Sequence, residues 1–432
     1  MLETEKGTKV LVDCGLIQGG SIAEEVNREK FPYDPADIGA LIVTHAHLDH
    51  VGRIPKLVKE GFRGVIYSTP ETRALTELVL TDAVGILAQE AERKGELPIY
   101  EANDVLKVFP LWKVLPYHES MIFNDLNFLF RDAGHILGSA MVEISVDGKK
   151  ILFTGDMGNS PAPILADTEA PGEPDYIVME SVYGDRNHEP REERKAHLEK
   201  IINDTLSRGG TLVIPAFSID RTQVLLYELN NMVEEGVIPD VPIFLDSPLA
   251  TKATEVYRSS SHLFRAEVQE QIRKGDNIFN FPKLRYTVSQ RESHAIEHEK
   301  GAKIILAGSG MSVGGRVVGH EEFFLPDPKS TILLVGYQTA GSLGRRLAEG
   351  EKKVNIHNRS IKVKAHIETL YGYSAHRDSD HLVEFVGMAG KKPTTVFVAM
   401  GEPSASMHLA QRINDELGIK AIAPERGSEY EL

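Results

Sequence analysis

Cysteine is nearly missing from this chain: Cys14 stands alone among 432 residues. A single thiol excludes an intrachain disulfide and any metal site built on several cysteines. Within Val12-Asp13-Cys14-Gly15 it reads as a small packed side chain. Long hydrophobic runs are missing too. None approaches the roughly 18 residues needed to cross a bilayer, so no membrane partner is expected. The opening Met1-Leu2-Glu3-Thr4-Glu5-Lys6 is charged and does not read as a signal peptide, which makes the cytoplasm the expected location. Positive charge is in deficit, with 48 Lys and Arg against 63 Asp and Glu and a net charge of −15. That balance argues against a general nucleic-acid coat protein. A nuclease remains compatible with it, because bound cations and a local basic groove attract phosphate despite an acidic exterior. Repeats, low-complexity segments and a long linker are also absent, so a second unit is expected as an insertion.

The length suffices for two compact units. Apolar strand-like runs alternate with helix-like segments, which argues for an α/β protein. The expected strands are 9–12, 40–43, 151–154, 176–179, 212–215, 243–245, 303–307, 331–335 and 395–399. Several run directly into a polar residue: Asp13, His45, Asp156, Glu180 and Asp246. Layered α/β folds carry their chemistry at such strand ends. Thr69-Pro70-Glu71 reads as a helix start, with Thr as cap and Pro at the first position, and Gly95 as its stop. Further helices are expected over 191–207, ending at Gly209-Gly210, and over 220–235, ending at Gly236.

The densest chemistry lies in Thr44-His45-Ala46-His47-Leu48-Asp49-His50, directly after an apolar run. A strand stopping there puts His45 and His47 on one side of a loop, with Asp49 and His50 in the next turn. Imidazoles bind zinc-like ions and carboxylates bridge or orient, so this spacing suits two adjacent metals. Three segments look like partners: Ala133-Gly134-His135-Ile136-Leu137-Gly138-Ser139, the strand ending at Asp156, and the strand ending at Asp13.

With these residues in this order, the chain resembles the metallo-β-lactamase superfamily. The resemblance implies an αββα sandwich with a metal site along one edge of the sheets. It also implies roles: His45, His47 and His135 on one zinc, Asp49 and His50 on a second, and Asp156 bridging both. Asp13 would orient ligand histidines without binding metal itself.

Later segments narrow the resemblance to the β-CASP nucleases, and within them to the RNA-processing branch that includes the cleavage and polyadenylation endonuclease and its bacterial relatives. Met179-Glu180-Ser181-Val182-Tyr183-Gly184-Asp185-Arg186 looks like their acidic motif A, and Tyr371-Gly372-Tyr373-Ser374-Ala375-His376-Arg377-Asp378 like motif B. Between them, Ile214-Pro215-Ala216-Phe217, Leu245-Asp246-Ser247-Pro248, Gly308-Ser309-Gly310-Met311, Gly336-Tyr337-Gln338 and Gly341-Ser342-Leu343-Gly344-Arg345 are similar to family stretches. The implied organisation is α/β: a metallo-β-lactamase domain over 1–188 and 355–432, with an α/β β-CASP domain inserted at 189–354. Substrate would thread a cleft between the domains.

These residues suit hydrolysis of a phosphodiester. Two metals convert water to hydroxide near neutral pH and neutralise phosphate charge. Asp49 can accept the proton of the attacking water, and His376 can protonate the departing oxygen. Glu180 would hold His376 charged and oriented, since a neighbouring carboxylate raises a histidine pKa. In the 308–316 loop, glycines let backbone N–H groups face an anion and Arg316 adds charge, although the loop lacks the ending of a nucleotide-binding P-loop. Ser309, Gly310, Arg316, Arg345 and Ser374 are therefore candidates for substrate contact, with Arg346 beside them. His294 and His298 stand four apart, but Glu297 is not placed as in a His-Glu-x-x-His zinc motif.

Two departures qualify the resemblance. The family's motif C places a histidine before Gly-Glu; here Met400 precedes Gly401-Glu402. A neutral thioether is a poor ligand for a divalent zinc ion, so two Zn2+ sites are expected with the second weaker, and Mn2+ as an alternative ion. The family also usually has a strand upstream of Leu2-Glu3-Thr4, which would leave a sheet edge unpaired here. The leading expectation is a metal-dependent ribonuclease, endonucleolytic with exonucleolytic action as an addition, acting on single-stranded RNA. A DNA nuclease or other phosphodiesterase is the alternative within enzymes, and relatives on DNA also lack the motif C histidine. A non-catalytic protein gripping RNA or a partner is the alternative outside enzymes. Analogy alone extends a homodimer to this chain.

Overall fold

The structure, a computed structural model, describes residues 1–17, 21–339 and 341–432. The chain forms two compact units, 1–187 together with 376–432, and 188–375. No helix among the described residues is long and apolar enough to cross a membrane.

The first unit contains two sheets. One has five strands in the order Leu2–Glu3, Lys9–Val12, Ala40–Ile42, Val65–Ser68 and Trp112–Val114, parallel apart from the first pair. The other has seven, in the order Ala421–Ile422, Thr395–Val398, Tyr176–Met179, Lys149–Phe153, Ala140–Val146, Leu126–Asp132 and Met121–Phe123. Its first four are parallel and the remainder antiparallel. Side-chain alternation explains the layering. Ile151, Tyr176 and Val178 face a core shared with Val10, Ile42 and Tyr67 of the five-stranded sheet. Leu152, Ile177 and Met179 point the other way, onto Leu382, Phe385 and Val386 of the helix Ser379–Gly387 and Leu409 and Ile413 of the helix Pro403–Leu417. Strands apolar on both faces belong in the centre of a covered sheet. The helix Pro70–Lys94 packs against the edge strand Trp112–Val114 of the first sheet, which completes a helix–sheet–sheet–helix sandwich. Thr69 caps that helix through Thr72 N–H, and Gly95 ends it at φ +69°.

The second unit is built on a six-stranded sheet, parallel throughout, in the order Leu284–Tyr286, Ile243–Asp246, Lys303–Ala307, Thr211–Pro215, Thr331–Leu334 and His366–Thr369. The last pairing explains why the chain leaves this unit at 375/376 and not at the 354/355 junction expected from sequence. Residues 366–369 are hydrogen-bonded to 331–334, and the hairpin Lys353–Ile356 with Arg359–Lys362 buries Val354 and Ile356 in the same core. The meander 121–146 was not among the expected strands either.

A buried carboxylate organises one end of this sheet. Asp246 receives Nε2 of His320 at 2.7 Å, Nη1 of Arg316 at 2.6 Å, and the hydroxyls of Thr287 at 2.6 Å and Ser293 at 2.5 Å. Burial alone would raise its pKa, but these donors hold it well below the carboxylate range. Its contribution is therefore fully present at neutral pH and is lost only as pH falls below the usual carboxylate range. Asp246→Ala leaves Arg316 and His320 without their carboxylate. It is expected to destabilise the fold by about 3–5 kcal/mol, read by denaturant unfolding, with Asp246→Asn costing less. A loss under about 1 kcal/mol would contradict this account.

Candidate metal centre

The parallel strands of the first unit put their carboxyl ends on a common edge of each sheet, and the polar residues follow immediately. Asp13 follows Lys9–Val12, and Thr44 and His45 follow Ala40–Ile42. Asp156 follows Lys149–Phe153, Glu180 follows Tyr176–Met179, and Met400 follows Thr395–Val398. His135 lies in the turn between two antiparallel strands, where Ser139 Oγ accepts its backbone N–H at 3.0 Å. The backbone N–H of Ala140 donates to Thr44 O at 2.8 Å, which ties the His45 segment to the second sheet.

His45, His47, His135 and Asp156 come together as a cluster whose candidate ligand atoms all lie within 4.8 Å of one another. His45 Nε2 is 3.0 Å from His47 Nδ1, and His47 Nδ1 is 3.3 Å from His135 Nε2. Asp156 Oδ2 is 3.4 Å from His45 Nε2 and 3.6 Å from His135 Nε2. An ion with bonds of ~2.0–2.1 Å to four tetrahedral ligands has ligand–ligand edges of about 3.3 Å, so these separations suit a zinc-sized divalent ion. Protonation states agree. Burial lowers the His45 pKa well below its ordinary value and brings His47 down to about 4, so both offer lone pairs at neutral pH. Burial would neutralise Asp156, yet His50, His45 and His376 hold its pKa well below the usual range. The Oδ1 atom of Asp156 is buried and makes no well-formed hydrogen bond among the described residues, its long 3.4 Å contact being with His50 Nε2. A buried, ionised carboxylate this poorly satisfied suits a cation.

Asp13 sits behind the cluster at φ +61°. It accepts the Thr44 backbone N–H at 2.7 Å, the Thr44 hydroxyl at 2.8 Å and His50 Nδ1 at 2.7 Å. Because the Thr44 hydroxyl donates to Asp13, its oxygen is left to accept from His45 Nδ1, 3.1 Å away. Nδ1 of each histidine is thereby engaged, so Nε2 is the nitrogen that faces inward, and at His45 it is a lone pair. Thr44 was not singled out in the sequence; its place between Asp13 and His45 was the available signal.

The remaining ligand candidates are less complete. His50 Nε2 lies 3.4 Å from Asp156 Oδ1. Burial opposes charge on His50, but Asp156 and Asp13 outweigh it and raise its pKa well above the ordinary value. Asp49 is exposed at the start of the short helix Leu48–Val51. Neither His50 nor Asp49 belongs to the four-residue cluster. Met400 is 48 % exposed and held at φ +65°.

Beside the cluster, His376 Nδ1 donates to Glu180 Oε2 at 3.1 Å and lies 3.9 Å from Asp156 Oδ2. Glu180 is fully buried, and its other oxygen accepts Met157 N–H at 2.6 Å. Burial disfavours charge on His376, but Glu180 and then Asp156 overcome it and raise the pKa to about 9. His376 is thus a charged donor at neutral pH.

The five substrate-contact candidates all fall in the second unit. Arg316 is already committed: besides Asp246, its guanidinium donates to the carbonyls of Thr287 at 3.2 Å and Val288 at 2.6 Å. Its partner lies 70 residues upstream, beyond the reach of local sequence reading. Arg345 donates to Glu349 at 2.7 Å and Arg346 to Glu351 at 2.7 Å, so both charges are locally balanced. Ser309 Oγ accepts Val313 N–H at 3.2 Å. Gly310 is glycine for a packing reason, since a Cβ there would lie 2.6 Å from the Phe217 ring. Ser374 is buried. His298 packs against Phe323, away from any metal cluster found among the described residues.

Residues 1–187 match the family described as metallo-beta-lactamase superfamily, 222–347 the Beta-Casp domain, and 360–424 the Zn-dependent metallo-hydrolase RNA specificity domain. A ribonuclease of Thermus thermophilus is 36% identical over 88% of this chain and 85% of its own length. An RNase J-like protein of Methanocaldococcus jannaschii is 33% identical over 99% of this chain and 94% of its own. A transcription termination factor, FttA, of Methanosarcina mazei is 32% identical over 96% of this chain, which spans 67% of that protein.

Removing the Asp13 carboxylate frees both Thr44 and His50. Asp13→Ala is expected to weaken divalent-ion affinity about 10–100-fold in a chelator competition. Unchanged affinity would show that Asp13 does not orient the ligands.

Proposed function

We propose that the chain, which belongs to the β-CASP branch of the metallo-β-lactamase superfamily, is a metal-dependent ribonuclease that hydrolyses phosphodiester bonds in single-stranded RNA. The observation that carries this reading is the adjacency of the His45–His47–His135–Asp156 cluster and the Glu180–His376 pair, with Asp156 common to both. Relatives named ribonuclease and RNase J-like support RNA as the substrate. The match to an RNA specificity domain over 360–424 supports RNA binding.

In this reading His45, His47, His135 and Asp156 hold the first ion, taken to be zinc. When bound, a divalent ion supplies Lewis acidity and eases deprotonation of water. Asp49, exposed at the mouth of the motif, accepts the proton of the attacking water. His376 protonates the departing oxygen, and Glu180 keeps it charged and aimed. His50, Asp49 and Asp156 would hold a second ion more weakly, because Met400 offers a thioether where an imidazole is expected; manganese is an alternative occupant. Endonucleolytic cleavage leads, with exonucleolytic action on the same site as an extension. A cytoplasmic location belongs to the proposal as the default reading of the sequence, and a homodimer by analogy with the family.

Met400 also favours a second reading, a DNA nuclease, since relatives acting on DNA share the missing histidine. End-labelled RNA and DNA strands of one sequence distinguish them. The expected result is RNA cleavage by the wild type, reduced at least about 100-fold in Asp49→Ala. Preferential cutting of DNA would replace the reading, and no cutting of either strand would leave a non-catalytic binding protein. After extensive dialysis, about one tightly held ion per chain is expected. Two tightly held ions would remove the argument from Met400.

A further inference from the structure

The residue after His376 is an arginine with no part in the chemistry above, yet it is held at the junction of three ligand-bearing segments. Arg377 is only 9 % exposed. Its Nε donates to Gly158 O at 3.0 Å, its Nη1 to His381 O at 3.4 Å, and its backbone N–H to Met157 O at 3.1 Å. Its guanidinium lies over the ring of Phe385, 5.5 Å from the centroid. Phe385 is itself fixed in the core beneath the seven-stranded sheet.

Gly158 shows why that anchor matters. It pairs with His376 in an antiparallel bridge, and its N–H donates to Ala133 O at 2.8 Å. A Cβ at this position would stand 2.0 Å from Gly134 O, so the backbone is wedged against the loop that carries His135. Gly158 O also accepts Ser160 N–H at 2.9 Å and the Thr168 hydroxyl at 3.3 Å. The backbone of one residue therefore joins the His135 loop, the segment after Asp156, and the segment carrying His376. Successive side chains along an extended segment point to opposite sides, so Arg377 reaches back to this peptide while His376 faces Glu180.

We propose that Arg377 is a positioning residue that fixes the register of His376 against Asp156 by clamping Gly158 to the helix Ser379–Gly387. The inference rests on the reading of His376 as the proton donor in RNA cleavage. The donor sits 3.1 Å from Glu180 and 3.9 Å from Asp156, and a displacement of about 1 Å at such a group costs on the order of 100-fold in rate. Arg377 lies outside the proton path, so its loss should spare any reaction that needs no donor.

Two diesters separate these effects. An RNA strand releases an alkoxide that must be protonated; bis(4-nitrophenyl) phosphate releases a phenolate that departs without a donor. For Arg377→Gln, kcat on RNA is expected to fall about 10–100-fold, with KM changed under about 3-fold. Turnover of the activated diester should change by less than about 3-fold, and ion content should stay at the wild-type level. Arg377→Lys should recover part of the loss. The ratio of the two rates in one preparation does not depend on how much of it is folded, so partial misfolding leaves the test intact. Equal losses on both diesters, or no loss on either, with an active wild type, would overturn this inference alone. A wild type that leaves RNA intact would overturn the ribonuclease reading and this inference with it.

Discussion

A carboxylate buried beyond the reach of solvent governs this molecule. Burial opposes charge on Asp156, and His50 foremost among its neighbours keeps it ionised. His45 and His135 approach one oxygen, and His50 approaches the other. The histidines are constrained in turn: Asp13 and Thr44 turn His45 and His50 inward, and the Ala140–Thr44 hydrogen bond sets the first sheet against the second. Three inward-facing imidazoles and an ionised carboxylate within hydrogen-bonding range of one another make a poor arrangement for a protein alone and a good one for a protein with a divalent ion. The fold supplies the geometry by ending parallel strands at a common edge, so that residues far apart in sequence leave the sheets side by side.

The pairing of Glu180 with His376 shows the same economy across a longer separation. The two residues are 196 positions apart and flank the inserted unit. Their juxtaposition nevertheless depends only on the first unit. Glu180 follows the strand Tyr176–Met179, which is hydrogen-bonded to Thr395–Val398, and the His376 segment bridges to Gly158. The proton donor is thus fixed relative to the metal cluster by hydrogen bonds internal to the sandwich.

Much of this was legible in the sequence for a physical reason. Central parallel strands are covered on both faces, so 40–42, 176–179 and 395–398 appear as short apolar runs, and after the first two the polar residue that follows is one at the sheet edge. The meander 121–146 was harder to see because its strands mix polar and apolar residues, as in Leu126–Asp132. The exit from the second unit was missed because His366–Thr369 carries one aliphatic residue among polar ones, and only its pairing with 331–334 identifies it. Arg316 looked available for phosphate because nothing near it in sequence announces Asp246 as its partner. Gly158 and Arg377 escaped notice since their importance lies in backbone contacts, to which a residue alphabet is nearly blind.

The central claim is that the cluster around Asp156 works by holding a divalent ion that RNA cleavage requires. It is tested most directly by stripping the purified protein with a chelator, assaying it on end-labelled RNA, and then adding back zinc or manganese. The account predicts that cleavage disappears on stripping and returns with the ion, and that a His135→Ala variant is not rescued at the same ion concentration. Cleavage that persists after every ion has been removed would contradict it.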